Sequence, residues 1–160
     1  MKKLLFLLVL TCLFCSPVLA QDVSRVDIFA GINYTEYYDV VGVAAAVDFN
    51  LNDKFGISLD FGANETDDYG NVTFFAGPRF TLVRTEQFRV FVHGLVGGLY
   101  RGYFEETELM VTPGGGVDIP VTDWMSIRAA QLDVLLWMTP EFDSNIRYSG
   151  GIVFNLGSID

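Results

Sequence analysis

Along most of the chain apolar residues occupy every second position, and the residues between them are small or polar. Phe55, Ile57, Leu59, Phe61 and Ala63 alternate with Gly56, Ser58, Asp60 and Gly62, which is the period of a β-strand with one oily and one polar face. The same pattern predicts eight strands: Ser24 to Tyr34, Val41 to Asn50, Lys54 to Ala63, Asn71 to Val83, Gln87 to Arg101, Leu109 to Pro120, Trp124 to Trp137 and Ile146 to Gly157. The second, fourth and sixth connectors are tight (Leu51 to Asp53, Arg84 to Glu86, Val121 to Asp123), whereas the odd ones are longer and acidic. Such alternation suits a closed up-and-down sheet, whose hairpins fall on two opposite rims.

The first twenty residues follow a different pattern and are set aside. Lys2 and Lys3 precede an apolar run from Leu4 to Phe14, and Val18, Leu19 and Ala20 form a small-residue cleavage site before Gln21, which together read as a secretory signal peptide. An uncleaved anchor would need a longer apolar run. Lipidation at Cys12 or Cys15 would need a small residue before the cysteine, where Thr11 and Phe14 stand. Residues 21–160 then form one domain without cysteine, with eight basic and twenty acidic side chains and a formal charge of -12. That balance argues against a nucleic-acid binder, which needs a basic face. An exported domain without disulfides must draw its stability from another source.

A membrane-spanning barrel supplies one, because a closed sheet in lipid satisfies every backbone group and leaves no edge. The alternative is a soluble β-barrel with the apolar face inward. The near absence of lysine weighs against it, since a soluble exterior needs mixed charge. The odd connectors carry Glu36 and Asp39; Glu65, Asp67 and Asp68; Glu105, Glu106 and Glu108; and Glu141 and Asp143, with no lysine or arginine expected among them. All seven tyrosines lie at or beside these connectors, while Phe49, Phe55, Phe80, Phe88, Trp124 and Phe154 mark the tight-turn rim. Trp124 and Trp137 are thirteen residues apart. At the rise and tilt of a barrel strand they stand roughly 33 Å apart along the axis, enough to reach both interfaces of an apolar band of about 25 Å.

Parity then assigns faces. Val26, Ile28, Ala30, Ile32, Val72, Phe74, Ala76, Phe80, Leu82, Val90, Val92, Val96, Ile152, Phe154 and Leu156 join the Phe55-to-Phe61 set outward. Asp27, Asn33, Ser58, Asp60, Thr73, Arg79, Thr81, Arg89, His93, Asp118, Ser149, Gly151 and Asn155 point inward, with Phe75, Phe91 and Leu95 filling part of a narrow interior. Asp60, Arg79, Asp118, Arg128 and Asp133 are expected to form an internal charge network. Arg128 is even and Gln131 and Asp133 are odd, so all three share the interior only if Ala129 and Ala130 form a β-bulge. An arginine facing lipid at mid-depth costs about 2 to 4 kcal/mol, so a bulge is expected. Pro78 and Pro113 lack an amide and argue against regular mid-strand positions. The run Gly114 to Gly116 allows a ring from a neighbouring strand to lie over it.

Catalytic chemistry finds little to use. There is no Gly-x-Ser-x-Gly, no His-Glu-x-x-His and no cysteine nucleophile after the leader, so no catalytic residue is assigned. His93, the only histidine, reads as an interior hydrogen-bonding residue. Gly114 to Gly116 lacks the lysine and following helix of a phosphate loop, and Asn64 to Asp68 lacks the spacing of a calcium loop, so no cofactor and no metal site is assigned.

The segments Gly114 to Ile119, Ile127 to Asp133 and Gly151 to Phe154 before Gly157 resemble the last strands of the bacterial outer-membrane β-barrel domain family. The chain is similar to the transmembrane domain of outer-membrane protein A and to small porin-like surface proteins over residues 24–157. Two departures stand out: no peptidoglycan-binding domain follows, which implies a barrel-only protein, and the chain ends Gly157, Ser158, Ile159, Asp160 without a terminal aromatic, leaving Phe154 as the aromatic available to signal assembly. The resemblance implies an all-β, eight-stranded antiparallel up-and-down transmembrane β-barrel in the outer membrane. It further implies a structural or surface-interaction role without catalysis. The implied partners are outer-membrane lipids, with periplasmic chaperones and the barrel-assembly machinery during export, and the implied state is a monomer. The alternatives are an exported soluble barrel that binds a small hydrophobic ligand, and a narrow low-conductance pore.

Overall fold

Alternating sequences that offer an oily face and a polar face to opposite sides of a sheet can bury only one of them against protein, and here the polar face is the buried one. The computed structural model describes residues 23–36, 39–65, 70–101, 106–138 and 143–159. The signal-peptide assignment lies outside them, as do Tyr37, Tyr38, Tyr69, Tyr103, Asp67, Asp68, Glu105 and Glu141. The strands are β1 (Val26–Thr35), β2 (Val40–Asn50), β3 (Phe55–Glu65), β4 (Gly70–Arg84), β5 (Arg89–Arg101), β6 (Glu106–Thr122), β7 (Met125–Trp137) and β8 (Ser144–Leu156). Each pairs antiparallel with its sequence neighbours, and β1 pairs with β8, so the sheet closes into an up-and-down barrel. An isolated bridge from Val23 to Ile159 extends the seam between the chain ends.

Outward residues include Ile32, Val43, Phe61, Phe74, Leu82, Leu109 and Ile152, all exposed. The lumen holds Asp27, Asp48, Asp60, Asp118, Asp133, Arg79, Arg89, Arg128 and Arg147, all buried. Two apolar clusters share the lumen with them. One, Phe75, Leu95, Leu99, Met110, Leu135 and Trp137, fills the half toward the odd connectors. The other joins Phe29, Ala44, Ala46 and Val153.

The expected bulge is present. The β7 register shifts between Arg128 and Gln131 against β8, and Ala129 and Ala130 are both exposed while Arg128, Gln131 and Asp133 are buried. That shift corrects the tryptophan ruler. Odd positions of β7 beyond the bulge turn inward, so Trp137 is only 7% exposed and its Nε1 donates to Glu108 Oε2 at 2.6 Å, while Trp124 remains 56% exposed.

A second shift between Thr81 and Val83 in β4 was not legible. It turns Arg84, expected in a tight turn, into the last residue of the strand with its side chain buried. The prolines also depart from expectation, because both lie within strands. Pro78 keeps register with Ile57, yet the β4–β5 ladder skips the step between Ala76 and Arg79. Pro113 keeps register with Gly94, yet the β6–β7 ladder skips the step between Val111 and Gly114. Each proline thus stays in line with one neighbour and interrupts the ladder where its missing amide would bond.

Candidate functional site

Every strand sends at least one charged side chain into the lumen, because the inward parity positions carry Asp27 (β1), Asp48 (β2), Asp60 (β3), Arg79 (β4), Arg89 and His93 (β5), Asp118 (β6), Arg128 and Asp133 (β7) and Arg147 (β8). They sort into two layers. In the layer nearer the tight turns, Arg128 grips Asp118 with two nitrogens, Nε to Oδ1 at 2.7 Å and Nη2 to Oδ2 at 3.2 Å, and reaches Asp48 at 3.5 Å. Arg79 pairs with Asp48 and with Asp118 at 3.2 Å, and stands 3.8 Å from Asp27. Arg89 lies 3.7 Å from Asp27 and donates to Ser126 Oγ at 2.8 Å. Three guanidinium groups therefore face three carboxylates, which is what a low-dielectric lumen requires of buried charge.

In the other layer Arg147 Nη2 sits 2.7 Å from Asp133 and 2.8 Å from Asp60, and His93 Nε2 lies 2.7 Å from Asp133 Oδ1. Gln131 joins the layers. Its Oε1 accepts from Arg128 Nη1 at 2.8 Å and its Nε2 donates to Asp133 Oδ2 at 2.9 Å. The expected network of Asp60, Arg79, Asp118, Arg128 and Asp133 is thus brought together, and His93 is held inside it as an interior hydrogen-bonding group. Asp48 completes it and had not been singled out. The signal for it was available, since Val41, Val43, Ala45, Val47 and Phe49 form an outward set with Ala44, Ala46 and Asp48 between them.

Aromatic rings pack the cations. Phe91 lies between Arg79, at 4.0 Å from guanidinium to ring centre, and Arg128, at 4.5 Å; Phe29 takes another face of Arg128 at 4.6 Å. Such stacking stabilises a desolvated guanidinium where water cannot. Glycines make the space. A Cβ on Gly116 would come within 2.8 Å of the Phe91 ring, and one on Gly114 would strike the His93 and Asp133 side chains. The Gly114-to-Gly116 run is therefore the bed for a ring and for the His93–Asp133 pair.

The rims differ. At the odd-connector rim Tyr34 and Tyr148 stack at 6.4 Å, and Tyr34 donates to Asp39 at 2.9 Å. Glu108 pairs with Arg101 at 3.0 Å, so one arginine does join this acidic rim, contrary to expectation. Arg101 ends β5 and its long side chain reaches the rim that its backbone approaches. At the tight-turn rim Phe55 packs on Phe80 at 5.1 Å and Trp124 on Phe154 at 6.2 Å. Among the described residues no group of three or more His, Cys, Asp or Glu side chains is placed to hold a metal ion.

No protein-family model and no curated protein matches the sequence. Solved structures do. The N-terminal β-barrel domain of Pseudomonas aeruginosa OprF superposes with a TM-score of 0.68 at 15% identity, covering 84% of this chain and 98% of that one. Neisserial surface protein A gives 0.62 at 10% identity, over 82% and 94%. The Yersinia pestis attachment invasion locus protein Ail gives 0.51 at 13% identity, over 84% and 99%. At such identities the likeness is one of fold: the chain has the eight-stranded barrel of these outer-membrane proteins.

Proposed function

We propose that this chain is an integral outer-membrane β-barrel protein with a structural or surface-interaction role and no catalytic activity. One observation carries the reading: the molecule is inverted, with eleven titratable side chains of the described residues buried on the inner side of the barrel and large apolar side chains from all eight strands presented outward. In water such an exterior is an aggregation hazard, whereas in a bilayer it is the required solvent match. The partner of the outward face is then membrane lipid. Insertion of a closed sheet requires the barrel-assembly machinery, with periplasmic chaperones covering the unpaired strands before it, and the protein works as a monomer.

The layered network and the Phe29, Phe91 and Phe75 rings occupy the lumen, which favours a structural or surface role over a diffusion pore. Among the described residues the same packing fills the lumen that a soluble carrier would use for a hydrophobic ligand. Tyr34, Asp39, Glu36 and Glu65 place an acidic, aromatic rim at the end that would face the exterior.

Cell fractionation tests the reading. The protein is expected to stay with membranes through high-salt and carbonate washes, and to change apparent mass in detergent gels on boiling. Recovery of most of it in the soluble periplasmic fraction would overturn the assignment.

A further inference from the structure

The tight-turn end of the lumen holds a cavity of about 250 Å³, bounded by Ser24, Arg84, Arg89, Thr122, Asp123 and Ser126. Arg84 reaches it because the β4 register shift after Thr81 turns the strand's last side chain inward. That residue is only 8% exposed, and its buried Nε has no hydrogen-bond acceptor among the described residues. The neighbouring Arg89 lies across the ladder from it, and its Nε is also without an acceptor. Its remaining nitrogens reach Ser126 at 2.8 Å and Asp27 at 3.7 Å. Asp27 and Asp53 act on Arg84 only from beyond ion-pair distance.

A buried guanidinium nitrogen without an acceptor is costly, and because the rest of the Arg84 head borders the cavity, an anion bound there would complete it. The paired layers deeper in the lumen make the contrast sharp: Arg79, Arg128 and Arg147 each meet carboxylates within 3.2 Å. We infer that Arg84 and Arg89 form a binding site, at the tight-turn mouth of the barrel, for the phosphate group of a small molecule or lipid. Planar guanidinium forks suit phosphate oxygens; Arg84 supplies the cation without a carboxylate in ion-pair range, and Arg89, which shares Asp27 with Arg79, supplies a second fork of donors. Thr122 adds a hydroxyl to the wall, while that of Ser126 is held between Arg89 and Asn155; the exposed carboxylate of Asp123 in the wall and that of Asp27 behind Arg89 oppose the anion. The inference concerns this end of the barrel whichever compartment it faces, and so does not depend on the membrane assignment.

The test uses the full folded chain in an uncharged sugar detergent free of phosphate. Inorganic phosphate is titrated and followed by calorimetry and phosphorus NMR, with the boiling-dependent gel shift confirming that each variant is folded. Saturable binding is expected. It should weaken by at least about tenfold in Arg84→Gln, the worth of one charge-assisted hydrogen bond, and partly recover in Arg84→Lys. Asp123→Asn should tighten it, and Lys54→Gln, on the same rim but outside the cavity, should leave it unchanged. A parallel series adds a small fraction of phosphatidylglycerol to the micelles. Binding of that lipid but not of inorganic phosphate, still lost in Arg84→Gln, assigns the site to a headgroup. Absence of both, or equal binding by the native chain and Arg84→Gln, overturns the inference.

Discussion

At the scale of single residues the lumen is a problem in buried charge, and its solution is pairing combined with stacking. Arg128 shows both, since Asp118 takes its fork, Asp48 and Gln131 take its remaining nitrogens, and two phenylalanine rings cover its faces. Removing it leaves Asp118 and Asp48 competing for Arg79 alone. Arg128→Ala is therefore expected to lose about 3 to 5 kcal/mol, read as a lowered denaturant midpoint in detergent micelles. An unchanged midpoint would deny Arg128 that role. Gly114 tests the other half of the packing. Gly114→Val drives a side chain into the His93–Asp133 pair, and the expected outcome is a midpoint lowered by about 1 to 3 kcal/mol, the usual cost of overpacking a filled core.

Within elements, parity is the controlling variable, and single extra residues reset it. The Ala129–Ala130 bulge lets Arg128 share the lumen with Gln131 and Asp133, and by the same shift carries Trp137 inward. Two outcomes follow. Deleting Ala130 would turn Gln131, Asp133 and Trp137 outward and Leu132, Val134 and Leu136 inward, so the variant is expected to show no boiling-dependent gel shift, whereas Ala130→Val keeps the residue count and folds. Brominated lipid should quench the fluorescence of Trp137→Phe, which retains the outward Trp124, and spare that of Trp124→Phe. Equal quenching in the two variants would place Trp137 in contact with lipid and contradict the bulge.

On the scale of the whole molecule the two ends are chemically unlike. The odd-connector rim is rich in carboxylates and tyrosines, and the opposite mouth carries Arg84 and Arg89 beneath a ring of Phe49, Phe80, Trp124 and Phe154. With the acidic rim outside the cell, protease added to intact cells should cleave only within the odd connectors. Fragments ending in the tight turns Leu51 to Lys54 or Thr85 to Phe88 would reverse the orientation. Intact mass of the membrane-extracted protein should correspond to a chain beginning at Gln21 without lipid. A species beginning at Cys12 or Cys15 would show that the leader is read as a lipoprotein signal.

The sequence alone determined the number of strands, their order and most of their faces, because a residue's face depends only on its position along an alternating strand and hairpin connectors leave no choice of neighbour. Phe75, Phe91 and Leu95 fill the lumen as parity requires, and the conflict among Arg128, Gln131 and Asp133 was enough to locate one bulge. What local pattern could not carry was decided across the lumen. Asp48 meets Arg79 and Arg128, from strands two and five positions along the sheet, and that meeting depends on closure and stagger. The shift beyond Thr81 left no clash of parity in β4, since Arg84 read equally well as a turn residue. Its burial beside Arg89, without a carboxylate to pair it, arises only once the barrel has closed around both.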